Sequence, residues 1–238
     1  MKASKLALIL SLQLFLTSSV FAQKIDNALS AKDVINRAIN AMGGKDVLLP
    51  IKTLYTDIST EMEGRQVHWI TKEMLPNKGA FQVVYNDRIV FQNWFDGKTG
   101  YEISSGKKAK ADPSEFKDKQ FKKNIFNELD YLDSTLYRLE LVREEKVSNE
   151  DCYKIKATLI NGLVKLIYIS KATFYTLRED KVSNKEKDSF STTLFSDYKK
   201  FGNLTYYTVM KFGEADNYQT GKIITLLVNE KISEEDFK

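Results

Sequence analysis

The chain has little cysteine, histidine or proline among its 238 residues. Cys152 is the only cysteine, so no internal disulfide can form and stability must come from the packed core. His68 is the only histidine, and one histidine with one distant cysteine cannot supply the ligands of a zinc site. The prolines, Pro50, Pro76 and Pro113, all lie between the strands proposed below, where a missing backbone N–H is tolerated. The sequence gives no reason to expect a metal or a cofactor.

Recognised catalytic motifs are missing as well. There is no G-x-S-x-G elbow, phosphate-binding loop or H-E-x-x-H segment. Gly97-Lys98-Thr99 ends like a phosphate loop but lacks the upstream glycine, and we interpret it as a turn. We interpret Cys152 as a strand residue rather than a reactive thiol, and His68 as a strand-surface residue rather than a general base. We therefore expect no enzyme, with a hydrolytic site assembled across several strands as the alternative.

The N-terminal segment has the pattern of a secretory signal peptide. Lys2 and Lys5 precede an apolar run over 6–16 that is too short to span a bilayer, and Val20-Phe21-Ala22 is a small-x-small cleavage signal. An uncleaved membrane anchor is the alternative. We expect a signal peptide over 1–22 and one mature domain over 23–238, exported to the periplasm of a Gram-negative-type envelope.

The mature chain carries little net charge. Loss of Lys2 and Lys5 lowers the formal charge from +4 to +2, which gives no general attraction for nucleic acid. Its first residue is Gln23 rather than cysteine, so we expect a protein that is not lipidated.

A helix is expected at the start of the mature domain. Ser30 and Asp33 form a capping-box pattern, and Gly43-Gly44 marks the end of the helix because glycine tolerates a left-handed backbone. A second helix is predicted over 113–132, because Asp112 and Pro113 resemble a helix start and apolar residues follow at helical spacing. The residues expected on the buried face of the first helix are Val34, Ile35, Ala38, Ile39 and Met42.

From Leu54 onward the apolar residues alternate with polar ones, which is typical of half-buried strands. Short turns separate these segments, so neighbouring strands should be antiparallel. Twelve segments have strand character, and we expect about eleven strands from them, which makes the protein mainly β with two helices. The strand segments lie at 54–62, 67–71, 80–85, 89–95, 101–104, 137–141, 153–159, 163–169, 174–182, 190–198, 204–212 and 223–228.

A sheet of this size should twist and curl into an incomplete antiparallel β-barrel. Two helices cannot cover its whole inner face, so we expect an apolar hollow suited to a lipid. The alternative for each aromatic strand residue is an ordinary place in the core. The residues predicted to line the hollow as ligand-binding residues are Phe81, Tyr85, Phe91, Trp94 and Phe95.

Seven lysines cluster between positions 107 and 123. Three acidic residues lie among them, so the cluster has a net charge of +4 (seven minus three). One interpretation is a peripheral contact with anionic lipid head groups, and the other is an ordinary solvated surface.

Four sequence segments resemble the periplasmic outer-membrane lipoprotein-sorting proteins of the LolA-like superfamily, in the form common among Bacteroidetes. They occur in the expected order over nearly all of the mature chain. They are Ala41-Met42-Gly43-Gly44-Lys45 with the following Ile51-Lys52-Thr53-Leu54; Trp94-Phe95-Asp96-Gly97-Lys98-Thr99-Gly100-Tyr101; 151–156 with 166–173 and 195–198; and Val228-Asn229-Glu230-Lys231-Ile232 with Phe237.

The resemblance implies an incomplete antiparallel barrel over a few helices, with a hydrophobic cavity between them. It also implies binding or transfer of a lipid or of an acylated lipoprotein without covalent catalysis. No arginine can be matched to the one that latches the cavity in transporter members. The alternatives are a lipid carrier unrelated to lipoprotein sorting, and a stress-sensing or interaction module that binds an envelope protein. We expect a monomer.

Overall fold

The computed structural model describes residues 29–104, 106–184, 189–214 and 217–238. The predicted signal peptide lies outside the described residues. The three α-helices are α1 (Ala31–Ala41), α2 (Lys45–Leu48) and α3 (Asn127–Tyr131), and short 3₁₀ turns occupy Pro113–Phe116, Lys119–Phe121 and Glu234–Phe237. The strands are β1 (Thr53–Met62), β2 (Arg65–Met74), β3 (Lys78–Tyr85), β4 (Arg88–Phe95), β5 (Gly100–Ser104), β6 (Lys107–Lys110), β7 (Tyr137–Val147), β8 (Glu150–Leu159), β9 (Val164–Ser170), β10 (Thr176–Asn184), β11 (Ser189–Ser196), β12 (Lys199–Phe201), β13 (Leu204–Tyr206), β14 (Val209–Glu214) and β15 (Asn217–Val228).

Of the strands in the described residues, thirteen form one antiparallel sheet in the order β6-β5-β4-β3-β2-β1-β15-β14-β11-β10-β9-β8-β7. Strands β1 to β6 form one meander, and β7 to β11 with β14 and β15 form a second. Pairing of β1 with β15 joins the two, with Thr56 opposite Leu226 and Ile58 opposite Ile223. The sheet curls without closing, since β6 and β7 are its two ends in the described chain. The expected unclosed antiparallel architecture is confirmed, with more strands than the eleven predicted.

Helix α1 begins and ends where the sequence predicts. Ser30 accepts a hydrogen bond from the backbone N–H of Asp33, and the Asp33 carboxylate accepts from Ser30 in return. Gly43 and Gly44 follow with φ of +126° and +88°. The apolar face of α1 is fully buried in the main core, where it meets the concave face of the sheet. The buried residues of α1 are Ala31, Val34, Ile35, Ala38 and Ile39.

The single helix predicted over 113–132 is wrong. Asp112 does cap a turn by accepting from the backbone N–H of Ser114, but the turn stops after Phe116 and the chain is extended again at Lys122. Phe116 stacks on Phe95 with ring centroids 5.4 Å apart, whereas Ile125 and Phe126 enter the main core. One straight helix cannot deliver its apolar residues to two separate clusters, so packing overrides the helical spacing.

The strands differ from the sequence prediction in two places. The proposed strand over 204–212 is divided, because the backbone N–H of Thr205 donates to the carbonyl of Met42 while that of Thr208 donates to Ser196. Its first part therefore forms the small hairpin β12–β13 against the end of α1, and its second part joins the large sheet. Strand β6 was not predicted, because its three lysines and one alanine show no alternation.

The last residues of the chain cover part of the convex face. Phe237 is buried against Ala80 and Trp94, and Asp236 forms an ion pair with Lys72 at 2.5 Å. Among the described helices, none has both the length and the apolar character needed to cross a membrane.

The contact between Gly43 and the β12–β13 hairpin should be sensitive to one methyl group. A Cβ at Gly43 would lie 2.4 Å from the carbonyl oxygen of Asn203, whereas a Cβ at Gly44 meets nothing within 4 Å. Both glycines have positive φ, so both alanine variants carry backbone strain of about 1–3 kcal/mol. We expect Gly43→Ala to lower the free energy of unfolding by a further ~1–3 kcal/mol relative to Gly44→Ala in urea titrations. Equal losses would contradict this close contact.

Candidate functional site

A cavity of about 450 Å³ lies between the concave face of the sheet and the segments that cover it. Its walls come from both meanders, from α1 and from the segment around α3. The cavity therefore spans the β1–β15 pairing that joins the two meanders, which we call the seam. The residues that line it are Ala38, Met42, Leu54, Thr56, Ile58, Trp69, Thr71, Glu73, Phe81, Lys122, Ile125, Phe126, Asn127, Glu128, Phe174, Thr176, Glu179, Thr193, Phe195, Tyr198, Tyr206, Tyr207 and Met210.

Aromatic side chains form one wall of the cavity. Trp69 packs edge-on against Phe81, with ring centroids 5.6 Å apart. It also packs at a tilted angle against Phe212, with ring centroids 4.6 Å apart. Trp69 and Phe81 come from adjacent strands and lie on the same face, because Thr71 of β2 is directly opposite Phe81 of β3. Rings of this size supply a large apolar surface with little freedom to rearrange.

Three tyrosines form a second part of the wall. Tyr206 stacks on Tyr207 at 4.3 Å, and their hydroxyl oxygens are 3.3 Å apart. The Tyr198 hydroxyl donates to the carbonyl of Thr176 at 2.5 Å. Burial raises the pKa of Tyr206 well above its ordinary value, so its hydroxyl stays neutral and can donate or accept a hydrogen bond.

An ion-pair group around Glu73 and Lys122 forms part of the cavity wall. Lys119 Nζ contacts both carboxylate oxygens of Glu73, and Lys122 Nζ is 3.9 Å from the same carboxylate. Burial opposes ionisation of Glu73, but the two lysines outweigh it and hold the pKa of this carboxyl below its ordinary value. Gly79 makes the arrangement fit, because a Cβ there would lie 2.3 Å from Lys119 Nζ.

Two further glutamates line the cavity. Glu179 has a lysine partner, with Lys165 Nζ at 3.8 Å. Glu128 has no ion pair with any residue that the structure describes. Burial, followed by the negative charge of Glu179, raises the pKa of Glu128 to about 7. The Glu128 carboxyl therefore changes its protonation near neutral pH.

The five aromatic residues predicted to bind ligand occupy four different places. Phe81 lines the cavity. Phe91 of β4 and Tyr85 at the end of β3 lie on the same face as Phe81. The rings of Phe91 and Phe81 have centroids 6.2 Å apart, and the Arg65 guanidinium is 5.7 Å from the centroid of the Tyr85 ring. Phe95 is buried against Ala111 and Phe116, and Trp94 is buried on the convex face against Ala80 and Phe237. Their role in ligand binding stays a prediction.

The lysine cluster of the sequence does not form one surface. Lys107, Lys108 and Lys110 are exposed on β6, and Lys108 Nζ is 4.3 Å from the centroid of the Tyr101 ring. Lys119 and Lys122 instead turn inward to Glu73. Lys123 and Asp133 form an ion pair at 2.7 Å.

Three residues have the local roles expected from the sequence. Cys152 is fully buried, and burial raises the pKa of its thiol to about 11, which disfavours the reactive thiolate. His68 lies on the convex face with Nδ1 2.8 Å from Asp57 Oδ1, and its side chain is 43% exposed. Asp96 Oδ1 accepts from the backbone N–H groups of Lys98 and Thr99, which fixes the predicted turn.

The polar residues of the cavity were not predicted from the sequence. Glu179 lies in the charged run Arg178-Glu179-Asp180-Lys181, where hydropathy gives no sign of an inward side. Glu128 lies between Phe126 and Leu129, so a carboxylate inside an apolar segment is the signal that could have identified it. Tyr206 and Tyr207 lie within the single strand proposed over 204–212, where neighbouring side chains point to opposite faces.

Solved structures of similar shape identify the fold. A LolA superfamily protein from Nitrosomonas europaea has a TM-score of 0.59 over 89% of this chain and 98% of its own, at 11% sequence identity. The chain has a LolA-type fold. A DUF1329 family protein from Desulfovibrio piger gives a TM-score of 0.56 at 17% identity, and a domain named for outer membrane lipoprotein sorting from Vibrio parahaemolyticus gives 0.54 at 14% identity; each match covers 87% of this chain and 97% of the other.

Comparison with protein-family profiles gives no match, and neither does comparison with curated proteins. At these identities the structural likeness establishes the LolA-type fold, and the function must be argued from the cavity itself.

The raised pKa of Glu128 predicts a pH-dependent effect on stability. Between the ordinary value of 4.5 and about 7, the folded state holds a proton that the unfolded state has lost, so stability falls as pH rises through this interval. Glu128→Gln removes this loss. We expect the variant to match the parent near pH 4.5 and to be more stable at pH 8, as measured by urea unfolding.

The exposed Glu140 on β7 offers a matched control. Glu140→Gln should shift the unfolding curve by the same small amount at both pH values. If the stability difference between Glu128→Gln and the parent also does not change with pH, the proposed titration of Glu128 is wrong.

Proposed function

We propose that the protein is a periplasmic carrier or binder of the acyl chains of a lipid or an acylated lipoprotein. The observation that carries this proposal is the cavity of about 450 Å³ between the concave sheet and its helices. Its volume is within the range of about 300–1,000 Å³ that is typical of small-molecule sites. The proposed activity is binding and release, without covalent chemistry.

The composition of the cavity wall supports an apolar ligand with a polar end. Leu54, Ile58, Trp69, Phe81 and Met210 offer apolar surface, and four charged side chains share the wall with them. Each methylene group removed from water contributes about 0.8 kcal/mol, so a chain of ordinary length could be held against the cost of ordering it.

The export signal and the fold together support the location. The pattern over 1–22 is that of a signal peptide. The first residue after it is Gln23 rather than a cysteine that could be lipidated, which supports a protein without its own lipid anchor. The LolA-type fold and the segment Trp94–Tyr101 support membership of the LolA-like superfamily in its Bacteroidetes form. We propose a monomer that acts in the envelope and does not bind nucleic acid.

A peripheral membrane contact would allow such a carrier to exchange its ligand. Strand β6 presents three exposed lysines at the edge of the sheet, which suits an anionic lipid surface. Apolar residues are exposed on the two neighbouring strands, which suits the adjoining acyl region. These exposed apolar residues are Ile89, Val90, Phe91 and Ile103.

A second candidate is an interaction module that binds an envelope protein. The observation in its favour is strand β7, which ends the sheet in the described chain over the length of Tyr137–Val147. An extended peptide can pair with such an edge through main-chain hydrogen bonds. This candidate predicts a stable partner in crosslinking, with no effect of substitutions inside the cavity.

Filling the cavity should abolish binding of an acyl chain. Thr193 lines the cavity from β11, so Thr193→Trp places a large ring in the space proposed for the ligand. Thr220 is exposed on β15, and Thr220→Trp is the matched control. We expect at least a tenfold loss of affinity for a fluorescent acyl-chain probe in Thr193→Trp, and no loss in the control, if the chain occupies this volume.

Circular dichroism and urea unfolding would establish that both variants are folded. Native mass spectrometry of protein purified from its own envelope should then reveal a bound lipid. Unchanged probe affinity in folded Thr193→Trp, or protein that is lipid-free and does not take up the probe, would reject the carrier proposal.

A further inference from the structure

The lysines around the cavity are not shared evenly among its carboxylates, because Lys119 and Lys122 both lie beside Glu73. The wall contains three carboxylates, Glu73, Glu128 and Glu179, and one ammonium group, that of Lys122. Lys119 and Lys165 approach from behind the wall and pair with Glu73 and Glu179. Each of these lysines is therefore already engaged with a carboxylate, and Glu128 is the carboxylate left over among the described residues.

A half-buried carboxylate with no cation in direct contact is unfavourable, because burial removes part of the water that would stabilise its charge. Protonation relieves this cost when the cavity is empty, in agreement with the raised pKa of Glu128. A cation supplied by a ligand would relieve it equally well. An anionic head group would instead meet carboxylates, with no lysine free of a partner in the described part of the wall.

We propose that the natural ligand is an amphiphile with a protonated amine, and that this amine lies beside Glu128 while the acyl chain fills the apolar part of the cavity. The inference rests on the proposed function, since it names the head group of the same ligand. The stacked rings of Tyr206 and Tyr207 line the same cavity, and aromatic faces attract ammonium groups.

Several other charged or titratable groups act on Glu128. Glu179 on β10 adds negative charge, while Lys122 and Lys165 add positive charge. The tyrosines keep their protons throughout the neutral range, because burial raises their pKa values. The tyrosines that interact electrostatically with Glu128 are Tyr131, Tyr198, Tyr206 and Tyr207.

The experiment compares ligands that share one chain and differ in the head group. Dodecylamine, dodecanol and laurate would be titrated separately into the purified protein at pH 8, with displacement of a fluorescent acyl-chain probe as the readout. We expect dodecylamine to bind at least about tenfold more tightly than dodecanol, and laurate to bind no better than dodecanol. Glu128→Gln should weaken dodecylamine binding about tenfold and leave dodecanol binding unchanged.

The pH dependence gives a second readout. Dodecylamine remains protonated at both pH 6 and pH 8, as an alkylammonium group does. Glu128 gains its proton in the empty cavity at pH 6, so the preference for the amine over the alcohol should shrink from pH 8 to pH 6. The preference should show no such change in Glu128→Gln, and Glu140→Gln should behave like the parent.

The outcomes separate this inference from the proposed function. Equal affinity for amine and alcohol, or a preference that survives Glu128→Gln, would overturn the amine assignment while acyl binding stands. No binding of any of the three would overturn the proposed function. Butylamine tests whether the ligand must carry a long chain as well as an amine. If butylamine displaces the probe at concentrations as low as those of dodecylamine, an amphiphilic ligand is rejected. If butylamine fails to displace the probe, an amphiphilic ligand is supported.

Discussion

The pairing of β1 with β15 is the interaction on which the rest of the structure depends. It brings the last strand of the chain back to the first and holds two meanders in one sheet. The bulge between Asp57 and Ile58 adds local twist at this seam, and such twist helps a wide sheet to curl. Strands on both sides supply walls of the cavity, so the cavity exists only when the seam is formed.

The concave face of this sheet offers more area than the covering segments can fill. Helix α1 buries one full face, but α2 and α3 have only four and five residues. The remaining space is bounded by bulky aromatic side chains and by ion pairs, which resist collapse because the two partners of each pair are held on different segments of the chain. Lys119 shows this well: it crosses to Glu73 through the space that Gly79 leaves open.

Much of the architecture was predictable because local signals agreed with the final packing. The Ser30 capping box, the two glycines after α1 and the alternation from Leu54 act over a few residues, and those distances are visible in a sequence. The segment over 113–132 failed because Phe116 and Phe126 belong to clusters that only the folded sheet creates. The ring of Trp94 was assigned to the hollow, but the direction of its side chain depends on the C-terminal segment that covers the convex face. Glu128 and Glu179 were missed because a charged residue in a sequence gives no indication of which cavity it faces.

The unpaired ends of the sheet bear on how a guest molecule could get in. A closed β-barrel can widen only if main-chain hydrogen bonds between strands break. In the described chain, the gap between β6 and β7 is instead bridged by side-chain contacts of the loop that connects them. Asn161 donates to the carbonyl of Lys117 at 3.0 Å, and Lys181 lies 3.6 Å from Asp118. Separation of these two sheet edges would therefore break contacts of the loop and would leave the main-chain hydrogen bonds of the sheet intact.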